Sequence, residues 1–459
     1  MIEVAVIGAG TAGLAAARHL INAGLRPTIF EAAKTTGGAW TSSSSSTLSK
    51  GSTNDDSQSI NHPARKMWNG MHTNLSKYTC TFSDWPWPEE ASTFPSVEEM
   101  NRYLQSYSDC FIDLNNCIFQ FQCEVTNVEQ LDVELDGLSL KMDQPGYKVE
   151  WLDLTTQVRT NKDFGGVVVA SGFFNKPKLP SFLENYSRDK EQKIPEIIHS
   201  MDYISRESFK NKNIAVIGAS FSALEIAADL SKTASRIVNV VPSVPWVLPR
   251  WIPKVESQVE NSQITILPVD LALYQRTQTF PQKEVVQLDP DSCRKRHVFM
   301  RTIAGHKQQH SPLGEPSNMS EPPYVAISDE YLDLVRERRI EVVQGRLKGI
   351  NNDGSLCIGD LQAIEGIDTV ICCTGYTPHL HKFLSQNILE KLDYNKEDTF
   401  SPLTLAWDVL HPSLPGLSFC GMVSLLFVYF YLSISTPHTN NKIFLKVSRS
   451  LHGHNGSTS

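Results

Sequence analysis

The sequence predicts an α/β fold built on two nucleotide-binding, Rossmann-like domains, and three observations carry that expectation. The chain opens with an apolar strand, a glycine turn, an Ala/Leu-rich helix and a second strand, all within about 30 residues, the length a βαβ unit needs. A second opening of the same kind begins at Asn213, beyond a charged, Pro-punctuated linker running from Lys176 to about Lys210. Gly165 to Ala170 and Ile367 to Cys373 also have the unbroken β-branched character of strands buried on both faces of a parallel sheet.

In the first unit, Glu3-Val-Ala-Val-Ile7 is the strand, and Gly8, Gly10 and Gly13 satisfy GxGxxG. The pattern alone is a weak signal; directly after a strand and opening a helix, it acquires meaning. Gly8 permits the tight turn, Gly10 lets the backbone approach a pyrophosphate, and Gly13 allows close helix–strand packing. The helix N-terminus presents free N–H groups and a partial positive charge to phosphate. Glu31 ends the next strand, 31 − 8 = 23 positions on, where a carboxylate can accept from a ribose hydroxyl. The competing reading is a glycine-rich turn that binds nothing, and strand, spacing and acid together count against it. A serine-rich stretch of about residues 41–60 lacks apolar periodicity and reads as a mobile surface loop. Ser96 to Phe111 reads as a helix, with Ser96 as N-cap and Glu99 at the capping-box position.

The second unit runs Asn213 to Ile217, the turn Gly218-Ala-Ser-Phe-Ser-Ala223, a helix to Leu230 and the strand Arg236 to Val241. Ser220 and Ala223 replace two glycines of the fingerprint. Small side chains still allow close approach, and Ser220 and Ser222 can donate to phosphate. No Asp or Glu ends the following strand, so the usual ribose acceptor for NAD is missing and NADP is favoured. Little can be assigned between Pro253 and Pro323.

The bulk numbers bound the rest. A chain of 459 residues calls for two or three domains, and 41% hydrophobic with 20% charged residues is ordinary globular composition. A formal net charge of −8 excludes the basic stripe of a nucleic-acid binder. Nine scattered cysteines without CxxC spacing point to reduced thiols in a cytoplasmic setting, and no metal-ligand spacing occurs. No charged leader precedes an apolar run at the N-terminus, so a secretory signal is not expected.

Beyond the first glycine turn, the chain resembles the flavin-containing monooxygenases, the class B flavoprotein monooxygenases. The likeness rests on the opening GxGxxG and its acid, on Gly37-Gly38-Ala39-Trp40 as the family's GGxW, and on Met71-His-Thr-Asn-Leu-Ser-Lys77 as its LxTNxPK stretch. Phe82-Ser-Asp-Trp-Pro86, Phe94-Pro95 and Cys373-Thr-Gly-Tyr376 look like further family segments. The resemblance covers Ile2 to about Gly421 and is weakest at 41–65 and 253–310. It implies FAD in a first domain (1–175, resuming at 326–421) and NADP in a domain inserted within it (211–325). It implies that Glu31 holds the adenosine ribose, that Gly38 and Trp40 line the flavin side, and that Thr73 and Asn74 belong to the cofactor site. Trp40 could equally be a core aromatic.

The implied reaction is NADPH-dependent insertion of one oxygen atom of O2 into a small-molecule substrate, by N- or S-oxygenation through a flavin C4a-hydroperoxide. The cofactor carries the chemistry, so no side-chain nucleophile or metal is required. Asn74 is the catalytic candidate, since its amide can both donate and accept; a turn-capping Asn is the plainer alternative. A Baeyer–Villiger monooxygenase acting on a ketone and an inactive flavoprotein scaffold remain the competing functions.

The sequence departs from the family in three places. Pro242-Ser243 stands where the family carries an arginine for the NADP phosphate, which leaves Arg250 or Arg236 to supply that charge. Of the identifying motif FxGxxxHxxxY, only His199 and Tyr203 fit, with Lys193 and Pro195 at the Phe and Gly positions. After Gly421 the likeness stops. Met422 to Ser435 is a 14-residue apolar run, short of the ~20 needed to cross a membrane, so membrane association is not expected. Residues 422–459 thus read as an atypical tail that leaves part of the flavin domain unbuilt. Substrate identity and oligomeric state are not written in the sequence.

Overall fold

The computed structural model describes residues 1–41, 67–112, 115–131, 146–183, 194–253, 266–273, 289–360, 363–398 and 402–421. Most of the serine-rich stretch and the tail from residue 422 lie outside them. The first unit forms as its pattern dictates: β1 (Glu3–Ile7), α1 (Thr11–Asn22), β2 (Arg26–Glu31). Helix α2 (Val97–Phe111) starts at Ser96 with a complete capping box. Ser96 Oγ accepts from Glu99 N at 3.1 Å, and Glu99 Oε2 accepts from Ser96 N at 2.8 Å. After β3 (Ile118–Phe121) comes an antiparallel meander, β4 (Cys123–Gln130), β5 (Tyr147–Asp153) and β6 (Arg159–Phe164). The buried run then forms β7 (Gly166–Val169), parallel to β1.

The chain crosses through β8 (Lys176–Pro177) to β9 (Glu196–His199) and the second opening: β10 (Asn213–Ile217), α3 (Phe221–Leu230), β11 (Arg236–Val241). Next come β12 (Trp246–Leu248), β13 (Trp251–Pro253), β14 (Ile266–Pro268) and the short α4 (Val269–Leu273). Helix α5 (Pro290–Ala304) is capped by Asp289, whose carboxylate accepts from the N–H groups of Asp291 and Ser292. Following α6 (His306–Gln309), β15 (Val325–Ile327) pairs with β12. Then follow α7 (Tyr331–Arg336), β16 (Glu341–Gln344), the hairpin β17 (Leu347–Ile350) and β18 (Leu356–Ile358), and β19 (Thr369–Cys372). The last described elements are β20 (Tyr376–Thr377), paired with β8, α8 (Gln386–Lys391) and β21 (Leu417–Phe419).

Two five-stranded parallel sheets result, ordered β21-β7-β1-β2-β3 and β16-β11-β10-β19-β9. Their central strands are apolar on both faces, with Val6, Val167, Val216 and Ile371 essentially sealed from solvent. Burying each such side chain contributes about 1.5–3 kcal/mol. Strand pairing departs from the expected return to the first unit at residue 326. Strands β16 and β19 pair into the second sheet; among the described residues the return comes later, with Leu380 to Leu392 packed in the core of the first unit and β21 in its sheet. An apolar run says that a strand is buried, not which of two equally apolar sheets receives it.

Candidate functional site

The first glycine loop separates what the protein needs from what a ligand needs. Gly8 has φ +107°, and a Cβ there would lie 2.5 Å from the Ala170 carbonyl oxygen. A Cβ on Gly13 would lie 1.8 Å from the Gly8 carbonyl oxygen. Both positions therefore demand glycine for the fold alone. Gly10 does not. Its backbone is ordinary extended chain (φ −82°, ψ −171°), and among the described residues a Cβ would meet only the Gly38 backbone, Cα at 3.5 Å and N at 3.9 Å. A glycine that the protein itself does not require, at the mouth of a helix, is what a dinucleotide cradle needs. Gly38 (φ +55°) packs its Cα side against Gly10, and Trp40 is half-buried against the core beneath α1 and α2. Buried Glu31 pins the loop: Oε2 accepts from Ala9 N and Oε1 from Ala33 N, each at 2.8 Å.

Around this loop polar groups wait unpaired. Helix α1 has no side-chain cap and no acid in its first turn, whereas α2 and α5 cap themselves fully. Ser171, just past β7, keeps a buried hydroxyl with no partner among the described residues. The donor set and the open side of Gly10 fit a pyrophosphate-bearing cofactor such as FAD.

The second loop repeats the backbone hydrogen bonds of the first. Gly8 N donates to Phe30 O at 2.8 Å and Gly218 N to Val240 O at 2.9 Å. Ala170 N donates to Ile7 O and Cys373 N to Ile217 O, both at 2.9 Å. Gly218 has φ +130°, and its Cβ would lie 2.6 Å from the Cys373 carbonyl oxygen. Ser220 occupies the N-cap of α3 without capping it, Ser222 is half-buried in the first turn, and no acid stands there. Ala223 is fully buried at the position matching Gly13, so this helix stands off far enough for a methyl group. A residue that sequence reasoning missed supports the loop. Asn239, fully buried on β11, donates to the carbonyls of Val216 and Gly218, both at 2.9 Å, and accepts from Tyr331 OH at 2.6 Å. A polar residue inside an apolar parallel strand was the signal available.

The two units meet at the Thr73–Asn74 segment. Thr73 is buried, and its Oγ1 donates to Leu75 O at 2.7 Å, turning the chain at Asn74. The half-buried Asn74 amide makes no hydrogen bond among the described residues. Arg250 reaches across from the second unit with every nitrogen engaged: Nε to Thr73 O (3.3 Å), Nη2 to Glu225 (2.7 Å) and Nη1 to Asp329 (2.9 Å). Burial works against its charge, but the two carboxylates hold it protonated more firmly than usual. A cleft of about 370 Å³ opens beside it, lined by Trp68, Met71, Phe94, Glu225, Arg250 and Asp329 among others.

Both arginines expected to read a 2′-phosphate are otherwise occupied. Arg236 starts β11, at the end opposite the glycine loop, and pairs with Glu341. Arg250 is engaged by the ion pairs just described. The half-motif is likewise internal. His199 Nδ1 accepts from Met201 N (3.1 Å) and its Nε2 donates to Gly375 O (3.0 Å), and burial pushes its pKa down. Tyr203 OH donates to Asp229 at 2.7 Å.

Among the described residues no group of three His, Cys, Asp or Glu is placed to hold a metal, and no helix is long and apolar enough to cross a membrane. All nine cysteines are free.

Comparison with known proteins agrees with this geometry. A model of the flavin-binding monooxygenase-like family matches residues 2–402. Flavin-containing monooxygenase 3 of Rattus norvegicus is 27% identical over 433 residues, covering 92% of this chain and 70% of the rat protein. For the Macaca mulatta protein of the same name the chain spans 64% of its length, at 27% identity over 84% of this chain. Among solved structures, the S-allyl-L-cysteine S-oxygenase of Allium sativum superposes with a TM-score of 0.53 at 20% identity, over 91% of this chain and 71% of that one. A closed cyclohexanone monooxygenase gives 0.59 at 14% identity, over 94% and 82%. At such identities these two likenesses concern the fold.

Proposed function

This chain belongs to the flavin-binding monooxygenase-like family of oxidoreductases, which use FAD and NADP, and on that premise we propose that it inserts one oxygen atom of O2 into a nitrogen or sulfur atom of a small molecule. The observation that carries the reading is the duplicated cradle. Two loops of the same geometry, each opening an uncapped helix N-terminus, stand at the ends of β1 and β10. Bound FAD would supply the redox chemistry and the activation of O2.

The chain's own residues do the rest. The N–H groups opening α1 bind pyrophosphate beside Gly10, and Glu31 accepts from the adenosine ribose. Gly38 and Trp40 border the flavin, and the α3 N-terminus with Ser220 and Ser222 holds the second nucleotide. The absence of a carboxylate at the end of β11 selects NADPH. Asn74, turned by Thr73 and left with both amide functions unspent, orients the oxygen-bearing site by donating and accepting. Free thiols throughout suit a cytoplasmic setting.

The test is aerobic NADPH oxidation by the purified, flavin-loaded protein against amines, sulfides and ketones, with product and hydrogen peroxide both quantified. Oxygenated amine or sulfide is the expected product. Exclusive ester formation from ketones would transfer the protein to Baeyer–Villiger chemistry, and NADPH consumption without product from any substrate would reject oxygenation.

A further inference from the structure

The segment carrying Asn74 is gripped from the second unit at two points, and only the first, Arg250 on Thr73, belongs to the site described so far. The second is Asp270, on α4, 2% exposed. One of its oxygens, Oδ2, accepts three hydrogen bonds from the first unit: Ser76 N at 3.1 Å, Ser76 Oγ at 2.7 Å and Thr79 Oγ1 at 2.5 Å. The other, Oδ1, is buried with no partner among the described residues. The first unit holds the same segment from behind, through Thr73 N to Pro95 O (2.8 Å) and Lys77 N to Thr93 O (2.7 Å). Residues 73–79 are thus strung between the two units, with the Asn74 amide at the turn.

We propose that Asp270 is a positioning residue for the oxygenation reaction, fixing Asn74 through Ser76 and Thr79 and tying that geometry to the docking of the second unit; the inference rests on the reading of Asn74 above. A buried carboxylate is costly unless its hydrogen bonds are made. Here all those bonds fall on one oxygen, and all run to one short segment of the other unit. The asymmetry makes the side chain testable. An asparagine can keep its carbonyl oxygen under the three donors and turn its amide nitrogen to the unpartnered side, whereas alanine releases all three donors.

The experiment compares wild type, Asp270→Ala, Asp270→Asn, Thr79→Val, Asn74→Ala and the Asn74→Ala/Asp270→Ala pair. Product, hydrogen peroxide and NADPH consumption are measured in the flavin-loaded protein, and amide hydrogen exchange over residues 71–80 in the flavin-free protein. Asp270→Ala is expected to keep its flavin and its NADPH consumption but to form product about 10²-fold more slowly, as misplacement of a reacting group by about 1 Å does. Peroxide should appear instead. Asp270→Asn should recover most of the product. Exchange over 71–80 should quicken about tenfold in Asp270→Ala, because the one backbone amide among the three donors, Ser76 N, loses its acceptor. In the double variant the two losses should not multiply. Thr79→Val removes one donor and carries the test if Asp270→Ala does not fold; lower product yield supports the proposal.

Unchanged yield and exchange in Asp270→Ala, or in Thr79→Val where it stands in, overturns the proposal, as do multiplying losses in the double variant. If Asn74→Ala alone leaves product yield untouched, the reading of Asn74 has failed. If Asn74→Ala uncouples and Asp270→Ala is silent, only the role of Asp270 has failed.

Discussion

Gly10 and Gly13 lie three residues apart in one motif, yet substituting alanine at each should produce different proteins. At Gly13 the new methyl carbon would sit 1.8 Å from the Gly8 carbonyl oxygen. Real Cβ contacts stop near 3.0 Å, so helix and turn must part by at least 3.0 − 1.8 = 1.2 Å. Overpacking of that kind costs about 1–3 kcal/mol, and it tilts the helix mouth. At Gly10 the methyl meets, among the described residues, only the Gly38 backbone, Cα at 3.5 Å and N at 3.9 Å, ordinary contact, with backbone angles any residue adopts. The weaker N-cap preference of alanine and its smaller unfolded-state entropy roughly cancel, leaving a net change of about ±0.5 kcal/mol. On the proposed reading the methyl group would nonetheless stand where the pyrophosphate of FAD binds. Losing one charge-assisted hydrogen bond there costs about 1.5–3 kcal/mol, which is about 10- to 150-fold in FAD affinity. Thermal unfolding of the flavin-free protein and titration with FAD separate the two variants. Gly10→Ala should melt like wild type and bind FAD weakly, and Gly13→Ala should lose both. Wild-type FAD affinity in Gly10→Ala, or a melting temperature as low as that of Gly13→Ala, refutes the assignment of Gly10 to the cofactor.

Asn74→Ala should still oxidise NADPH but release peroxide, with product formation lower by about 10²–10³; unchanged product per NADPH removes Asn74 from the site. Wild type should use NADPH better than NADH, and Arg250→Ala should leave that ratio alone while lowering product yield, because Glu225 and Asp329 already neutralise the guanidinium; a shifted ratio in steady-state kinetics would return it to the phosphate site. His199 contributes to the pH dependence of stability, alongside His379 and His381, whose pKa values burial and neighbouring cations also lower. Burial holds the His199 imidazole neutral, with a folded pKa below the unfolded value of about 6.5. Its stabilisation is complete above that value and is lost as pH falls through the folded one. Urea midpoints measured from pH 7.5 down to 5 should fall less steeply in His199→Gln; identical slopes would show that another group titrates.

The sequence announces the parts of this fold whose chemistry is local. The turn at Gly8, the Ser96–Glu99 capping box and the apolar strands at 166–169 and 369–372 need nothing beyond their neighbours to be recognised. Asp289-Pro290 was an equally local helix start, and the polar surroundings hid it. Sheet membership is different in kind. Residues 341–344 and 369–372 join the second sheet because of partners far along the chain, and no periodicity encodes that choice. The same distance hid Asp270 and the partners of Arg250, and it left Asn239 with only a faint local sign, a polar residue in an apolar strand. Each acquires its structural role only when folding brings it under a loop or across to the other unit. His199 and Tyr203, the fragment of the family motif, are bonded within the fold through both ring nitrogens and the hydroxyl, which the sequence pattern could not show.

Glu31 carries a consequence for how the cradle can be altered. Each of its oxygens already receives a backbone N–H, one from the glycine turn and one from the residue two positions on. On the proposed reading a ribose hydroxyl would meet a carboxylate whose rotamer is set beforehand, and binding would not have to freeze a long, flexible side chain that otherwise has about 1.5–2 kcal/mol of freedom to lose. The same arrangement makes glutamine a poor mimic despite its matching shape. Glutamine has one oxygen for two donors, so its NH2 must confront either Ala9 N–H or Ala33 N–H. A buried donor left facing another donor costs about 1–3 kcal/mol. The isosteric replacement should thus loosen the turn in the empty protein, before any cofactor is asked to bind.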